Sequence, residues 1–131
     1  MSAGRSDEVD ELVVSLPRSP DSARNARSAV RSALAGLDGR IVEMSVLLVD
    51  ELVANAVLHG DGPISLAVGV QGHCVRVAVA DEGQGLPVHQ APSSTSENGR
   101  GLSIVNAAAT QWGVEATDRG KSVWFEMEIP H

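Results

Sequence analysis

Three groups of residues in this 131-residue chain could do chemistry. Glu51, Asn55 and His59 recur at i, i+4 and i+8, a spacing that gathers them into one polar stripe about 80° wide on an α-helix. Around them Ile41, Val42, Met44, Val46, Leu47, Leu48, Val49, Leu52, Val53, Val57 and Leu58 occupy nearly the whole circumference, so the helix is expected to be largely buried. Polar groups on a buried helix are costly unless they find partners, so the stripe meets either another polar network or a ligand cavity. Asp50 lies off the stripe, at a rim. The second group is Asp81-Glu82-Gly83-Gln84-Gly85, an acid at the end of a strand-like run followed at once by two glycines. The third is Gly99-Arg100-Gly101, which opens a helical run and sets bare backbone N–H groups at the positive end of its dipole. Either glycine motif alone also fits an ordinary turn.

The elements that must position these groups are read from periodicity. Residues 1–11 are polar and aperiodic and form a flexible tail, with the folded domain spanning 12–131. Leu12–Leu16 is a short strand closed by Pro17, Ser19 and Pro20. A helix from Ala23 to Leu37, capped by Asp21 or Ser22, turns Ala26, Ala29, Val30, Ala33 and Leu37 inward and leaves Arg24, Arg27 and Arg31 on a solvated face. The helix carrying the stripe runs from Arg40 to Leu58 and is stopped by Gly60-Asp61-Gly62-Pro63. Strands are expected at Ile64–Val70 and Cys74–Ala80, joined by a Gln71-Gly72 turn. Val75, Val77 and Val79 share one face, and the two-residue period sends Asp81 to that face too. Residues 86–98, rich in Pro, Ser and Thr, read as a mobile loop of the kind that serves as a lid. A helix from Leu102 to Gln111 and strands at Trp112–Thr117 and Ser122–Ile129 complete the chain, the last turning Val123, Phe125, Met127 and Ile129 inward.

Composition removes several classes of function. The formal charge is −7 and Phe, Trp and Tyr number three in all, so the chain repels a phosphate backbone and has no platform for stacking bases. Nucleic acid is not an expected partner. No stretch approaches the roughly 18 apolar residues of a membrane span, the N-terminus has no apolar signal core, and the expected location is the cytoplasm. The single Cys74 lies in an apolar strand, where a free thiol is usually a small buried hydrophobe. There is no Walker A motif, and a loose loop precedes Gly99 where a dinucleotide fingerprint needs a strand.

In order along the chain, then, come a helix with a polar stripe, a strand ending in Asp-x-Gly-x-Gly, a loose loop, and Gly-x-Gly opening a helix. This order resembles the GHKL superfamily of gyrase, Hsp90, histidine kinases and MutL. Residues 50–59 resemble its N box, 81–85 its G1 box, 99–105 its G2 box, and 120–130 its closing strand. The resemblance covers residues 12 to 130 and implies a Bergerat-type α+β two-layer sandwich, a mixed and mostly antiparallel sheet covered on one face by helices. It further implies that ATP is bound by Asn55, Asp81, Gly83, Gly85, Gly99, Arg100, Gly101, Leu102 and Ser122. Asp81 would accept from the exocyclic amine of adenine, a donor that guanine lacks there, which favours ATP over GTP. Gly83 and Gly85 would let backbone approach the base, and Ser122 would place a hydroxyl near it. Asn55 would give Mg²⁺ one amide oxygen. Glu51 would orient or deprotonate the attacking nucleophile. His59 closes the N box in a structural role.

No His precedes His59, so a histidine kinase's phosphoacceptor is missing from this chain. Gln111-Trp112-Gly113 and the ending Gly120-Lys121-Ser122-Val123-Trp124-Phe125 resemble the stand-alone anti-sigma factors and switch-protein serine/threonine kinases of bacterial partner-switching systems. That resemblance implies phosphotransfer to a small anti-sigma-antagonist protein carrying the Ser or Thr, with a sigma factor as a further partner and homodimerisation as a further association. The alternative is a non-catalytic ATP-binding module that acts by sequestering its partner. Glu51 and Asn55 favour the enzyme; the absence of Lys and Arg between Gly85 and Gly99 favours the module.

Overall fold

The computed structural model describes residues 10–83 and 109–129. Its elements are β1 (Asp10–Leu16), α1 (Asp21–Ala33), α2 (Gly39–His59), β2 (Ile64–Gln71), β3 (Cys74–Asp81), β4 (Gln111–Ala116) and β5 (Lys121–Glu128). The five strands form one sheet in the order β1-β2-β3-β5-β4, and every neighbouring pair among the described residues is antiparallel. The expected mixture of directions is therefore not seen in this part of the chain. Both helices lie on one face, making an α+β two-layer sandwich.

Alternation along the strands fixes that face. Ile64, Leu66 and Val68 on β2, Val75, Val77 and Val79 on β3, and Val123, Phe125 and Met127 on β5 are buried, as the two-residue period requires. They meet Ala26, Val30 and Leu34 from the α1 side and Ile41, Val46, Leu48, Val49, Leu52, Val53 and Ala56 from α2. With no aromatic beyond Phe125 fully enclosed, the core is aliphatic, each large side chain contributing about 1.5–3 kcal/mol on burial. The outer face carries Arg76, which pairs with Glu126 at 3.0 Å and lies 4.3 Å over the Trp124 ring.

Several boundaries differ from the sequence reading for identifiable reasons. Neither Asp21 nor Ser22 caps α1: Pro20 holds the cap position without a side-chain bond and Asp21 is already in the first turn. The Ser22 hydroxyl is buried and donates instead to the Pro17 carbonyl. The helix ends at Ala33 rather than Leu37, because Ala35 and Leu37 make tight i−3 bonds and Gly36 turns the chain at a φ of +96°. On α2 the Asp38 carboxylate accepts from the Arg40 N–H at 2.8 Å, so that helix starts one residue early. The β2–β3 turn is Gly72-His73, with Gly72 at a φ of +61°, the left-handed value a tight hairpin asks of its first central residue. Gln111 opens a strand instead of closing a helix.

The arginines of α1 are not merely solvated. Arg27 bonds Asp50 at 2.6 Å and Arg31 bonds Glu43, both reaching α2. Nor is α2 buried all round, since Leu47 and Leu58 are 43% and 66% exposed. Among the described residues no helix is long and apolar enough to cross a membrane.

Candidate functional site

The site lies where the C-terminal half of α2 meets the end of β3. Arg18, just after β1, donates through Nη1 to the Ala56 carbonyl at 2.7 Å and through Nη2 to that of Val57. A guanidinium at a helix C-terminus satisfies orphan carbonyls and complements the dipole, so Arg18 anchors the turn that presents Asn55 and His59. Gly60 then lets the chain pass directly over Asp81: a Cβ there would stand 2.5 Å from the Asp81 Cγ. Gly120, before β5, is as tightly placed, with a Cβ falling 2.2 Å from the Asp81 carbonyl. Two glycines thus close on the acid from different elements, and neither tolerates a side chain without a shift.

Asp81 is 5% exposed. Its Oδ1 accepts from the Gly83 N–H at 2.6 Å and from the Lys121 Nζ at 2.9 Å. Lys121 is itself 7% exposed and stands directly across the ladder from Asp81. A small cavity beside this pair is lined by Leu52, Asn55, Ala56, His59, Val79, Asp81, Lys121 and Val123. Asn55 is one of them, and its Oδ1 is buried without a hydrogen-bond partner, which is rare enough in a folded protein to need an explanation. Glu51 sits one helical turn earlier and is half-buried; among the described residues it forms no ion pair.

Removal from solvent, reinforced by the charge of Asp50, raises the Glu51 carboxyl above the usual carboxylate range. A carboxyl with a raised folded pKa binds its proton more tightly folded than unfolded, so its contribution to stability is full below the unfolded pKa and is lost as pH rises through the folded one. Glu51→Gln should accordingly melt above the wild type at neutral pH, the gap closing in acid. Thermal melts over a pH series check this, and a variant that melts lower at neutral pH contradicts it. Burial also pushes the Cys74 thiol up, in keeping with its reading as an inert hydrophobe.

The structure brings Asn55, Asp81 and Gly83 together, with Glu51 on the same helix face. Ser122 is elsewhere: it pairs with Ala80 and points to the face of the sheet opposite Asp81, because β5 turns Lys121 and Val123 inward. Gly85, Gly99, Arg100, Gly101 and Leu102, the 86–98 loop and the helix expected from Leu102 lie outside the described residues. Two residues of the site were not anticipated. The period that placed Asp81 extends backward along β5 from Val123 to Lys121, but the turn chemistry of Asp118-Arg119-Gly120 masks it. Arg18, in a Pro-flanked loop, carries no such signal.

Residues 16–127 match the family of histidine kinase-like ATPase domains, and the chain belongs to that family. It is 32% identical to the sensor protein LytS of Streptococcus mutans over a match covering 58% of this chain and 17% of that protein. It is 35% identical to the anti-sigma F factor of Bacillus velezensis, covering 47% of each. The chain thus spans less than half the length of these curated relatives. The histidine kinase domain of the blue-light activated histidine kinase from Erythrobacter litoralis EL346 shares the fold at 20% identity, with a TM-score of 0.56 over 82% of this chain and 59% of that one. Family membership implies that the chain binds ATP.

Proposed function

We propose that this chain is a protein serine/threonine kinase of the anti-sigma type, transferring the γ-phosphoryl group of ATP to a hydroxyl on a small anti-sigma-antagonist protein. The observation that carries the proposal is the pairing of a raised-pKa carboxyl at Glu51 with an unsatisfied Asn55 oxygen one turn further along the same helix. The similarity to an anti-sigma F factor supports the choice of partner, and extends it to a sigma factor as the protein held in the alternative state. In the transfer the acceptor oxygen bonds to the γ-phosphorus and the bond to the β,γ-bridging oxygen breaks. ADP leaves, and the hydroxyl proton passes to the Glu51 carboxylate.

The Asn55 amide oxygen, a hard donor without a partner, fits Mg²⁺, which takes one or two protein oxygens and completes its shell from water and phosphate. When bound, the ion would offset the charge of the triphosphate. Asn55→Ala should weaken ATP binding chiefly when magnesium is present, as calorimetry with and without EDTA would read; an equal loss in both sinks the metal role. The kinase reading itself is tested by incubating the protein with γ-labelled ATP and purified candidate acceptors. Label on a Ser or Thr of one of them is the expected result.

A further inference from the structure

The free edge of a strand carries unpaired N–H and C=O groups that template pairing with another chain, and folded proteins blunt it with Lys, Pro, a bulge or a very short strand. β1 has none of these. Asp10–Leu16 is seven residues long without Lys, Arg or Pro, and it pairs with β2 residue for residue, with no bulge. Among the described residues no strand lies on its other side. Leu12 stands in a row across the sheet with Val68, Val77 and Phe125, all fully buried, yet it is 37% exposed. Val13, on the opposite face in a row with Ala67 and Ala78, is 63% exposed. Both rows stop at an open apolar end on the same edge. We propose that β1 pairs antiparallel with β1 of a second copy of this chain, about a two-fold axis at Val13, so that the two sheets become one.

The strand is complementary to itself in that arrangement. With Val13 opposite its own copy, Leu12 meets the second copy's Val14, Glu11 meets its Ser15, and Asp10 meets its Leu16. Apolar residues oppose apolar ones at the centre, and no acid faces an acid, which would be destabilising across a ladder. The two-residue period carries through as well: Leu12, Val14 and Leu16 of both copies turn to one face, so the two helix layers lie side by side and each exposed row gains a neighbour. A parallel pairing in the same register would set Asp10 and Glu11 beside their own copies and send the helix layers to opposite faces. β1 thus supplies both halves of an isologous contact, and a second copy fits it without any further partner. The formal charge of −7 on each chain opposes association, so the pairing should tighten as added salt screens that repulsion.

Sedimentation velocity of the full chain over a series of protein and salt concentrations should show a dimer whose share grows with both. In a Cys74→Ser background, Val13→Cys should join two copies by a disulfide under mild oxidation, because directly opposed residues of an antiparallel pair stand about 4.5–5.5 Å apart at Cα, within the span a disulfide bridges. Leu58→Cys, equally exposed but on α2, controls for chance collision and should link far less. Val13→Lys sets like charges opposite each other at an exposed position and should raise the dimer dissociation constant tenfold or more, with the circular dichroism spectrum unchanged. A chain that is monomeric at every concentration overturns the inference. So does a dimer that Val13→Cys links no better than Leu58→Cys, or that Val13→Lys does not loosen, since the contact would then lie on another surface. None of these results bears on whether the chain binds ATP, which calorimetry reads separately.

Discussion

Glu51→Ala is expected to lower phosphoryl transfer to the protein acceptor by about 10²–10⁴-fold, the usual span for loss of a general base, while ATP affinity stays within a few-fold. The separation of the two effects follows from geometry: Glu51 lies one turn away from Asn55, and it is not among the residues lining the cavity at Asp81. Because its carboxyl is raised by burial and by Asp50, the wild-type rate should fall in acid at a pH above the ordinary carboxylate range, and that limb should vanish in the variant. Steady-state transfer assays with a fixed acceptor across pH measure both. Since the acceptor hydroxyl comes from another protein, hydrolysis of ATP without it should be slow, the partner supplying the positioning. A wild-type protein that labels no acceptor while binding a sigma factor tightly would remove the kinase reading and leave the sequestering module.

The second large effect belongs to Asp81. Asp81→Asn leaves the Lys121 ammonium, 9% exposed at its side chain, without its counter-charge, and breaking one side of a buried pair costs about 3–5 kcal/mol. Loss of the charged acceptor should also weaken ATP binding by about 1.5–3 kcal/mol. The two losses separate in the double variant Asp81→Asn/Lys121→Met. Removing both charges should restore much of the stability seen in denaturant melts but none of the ATP affinity. A double variant as unstable as the single one would mean that Asp81 acts through the Gly83 N–H and the glycines around it, not through Lys121.

What was legible in the sequence follows the periodic elements. The stripe of Glu51, Asn55 and His59 and the inward direction of Asp81 came directly from helical and strand periods, because β3 and α2 keep those periods unbroken over eight and twenty-one residues. The errors gather where a side chain does something other than its local propensity suggests. Ser22 looks like a cap but spends its hydroxyl on Pro17, and Ser122 looks like a site residue but is one position out of phase with the buried face. Lys121 was the hardest to see: a lysine after Asp-Arg-Gly reads as turn, and only the register against Asp81 shows that it continues the row of Val123, Phe125 and Met127. Arg18 reaches a helix end 38 residues away, a contact no local pattern encodes.

The register of β5 also bears on how the site comes into being. Asp81 and Lys121 form the last rung of the β3–β5 ladder, forty residues apart in the chain, and β5 must seat against β3 before they meet. Contacts of such separation are entropically expensive to close. The strands β1, β2 and β3 can pair without bringing Lys121 to Asp81. A nucleotide bound beside Asp81, as proposed, would therefore favour only conformations in which β5 is seated on β3, acting as a latch on that pairing.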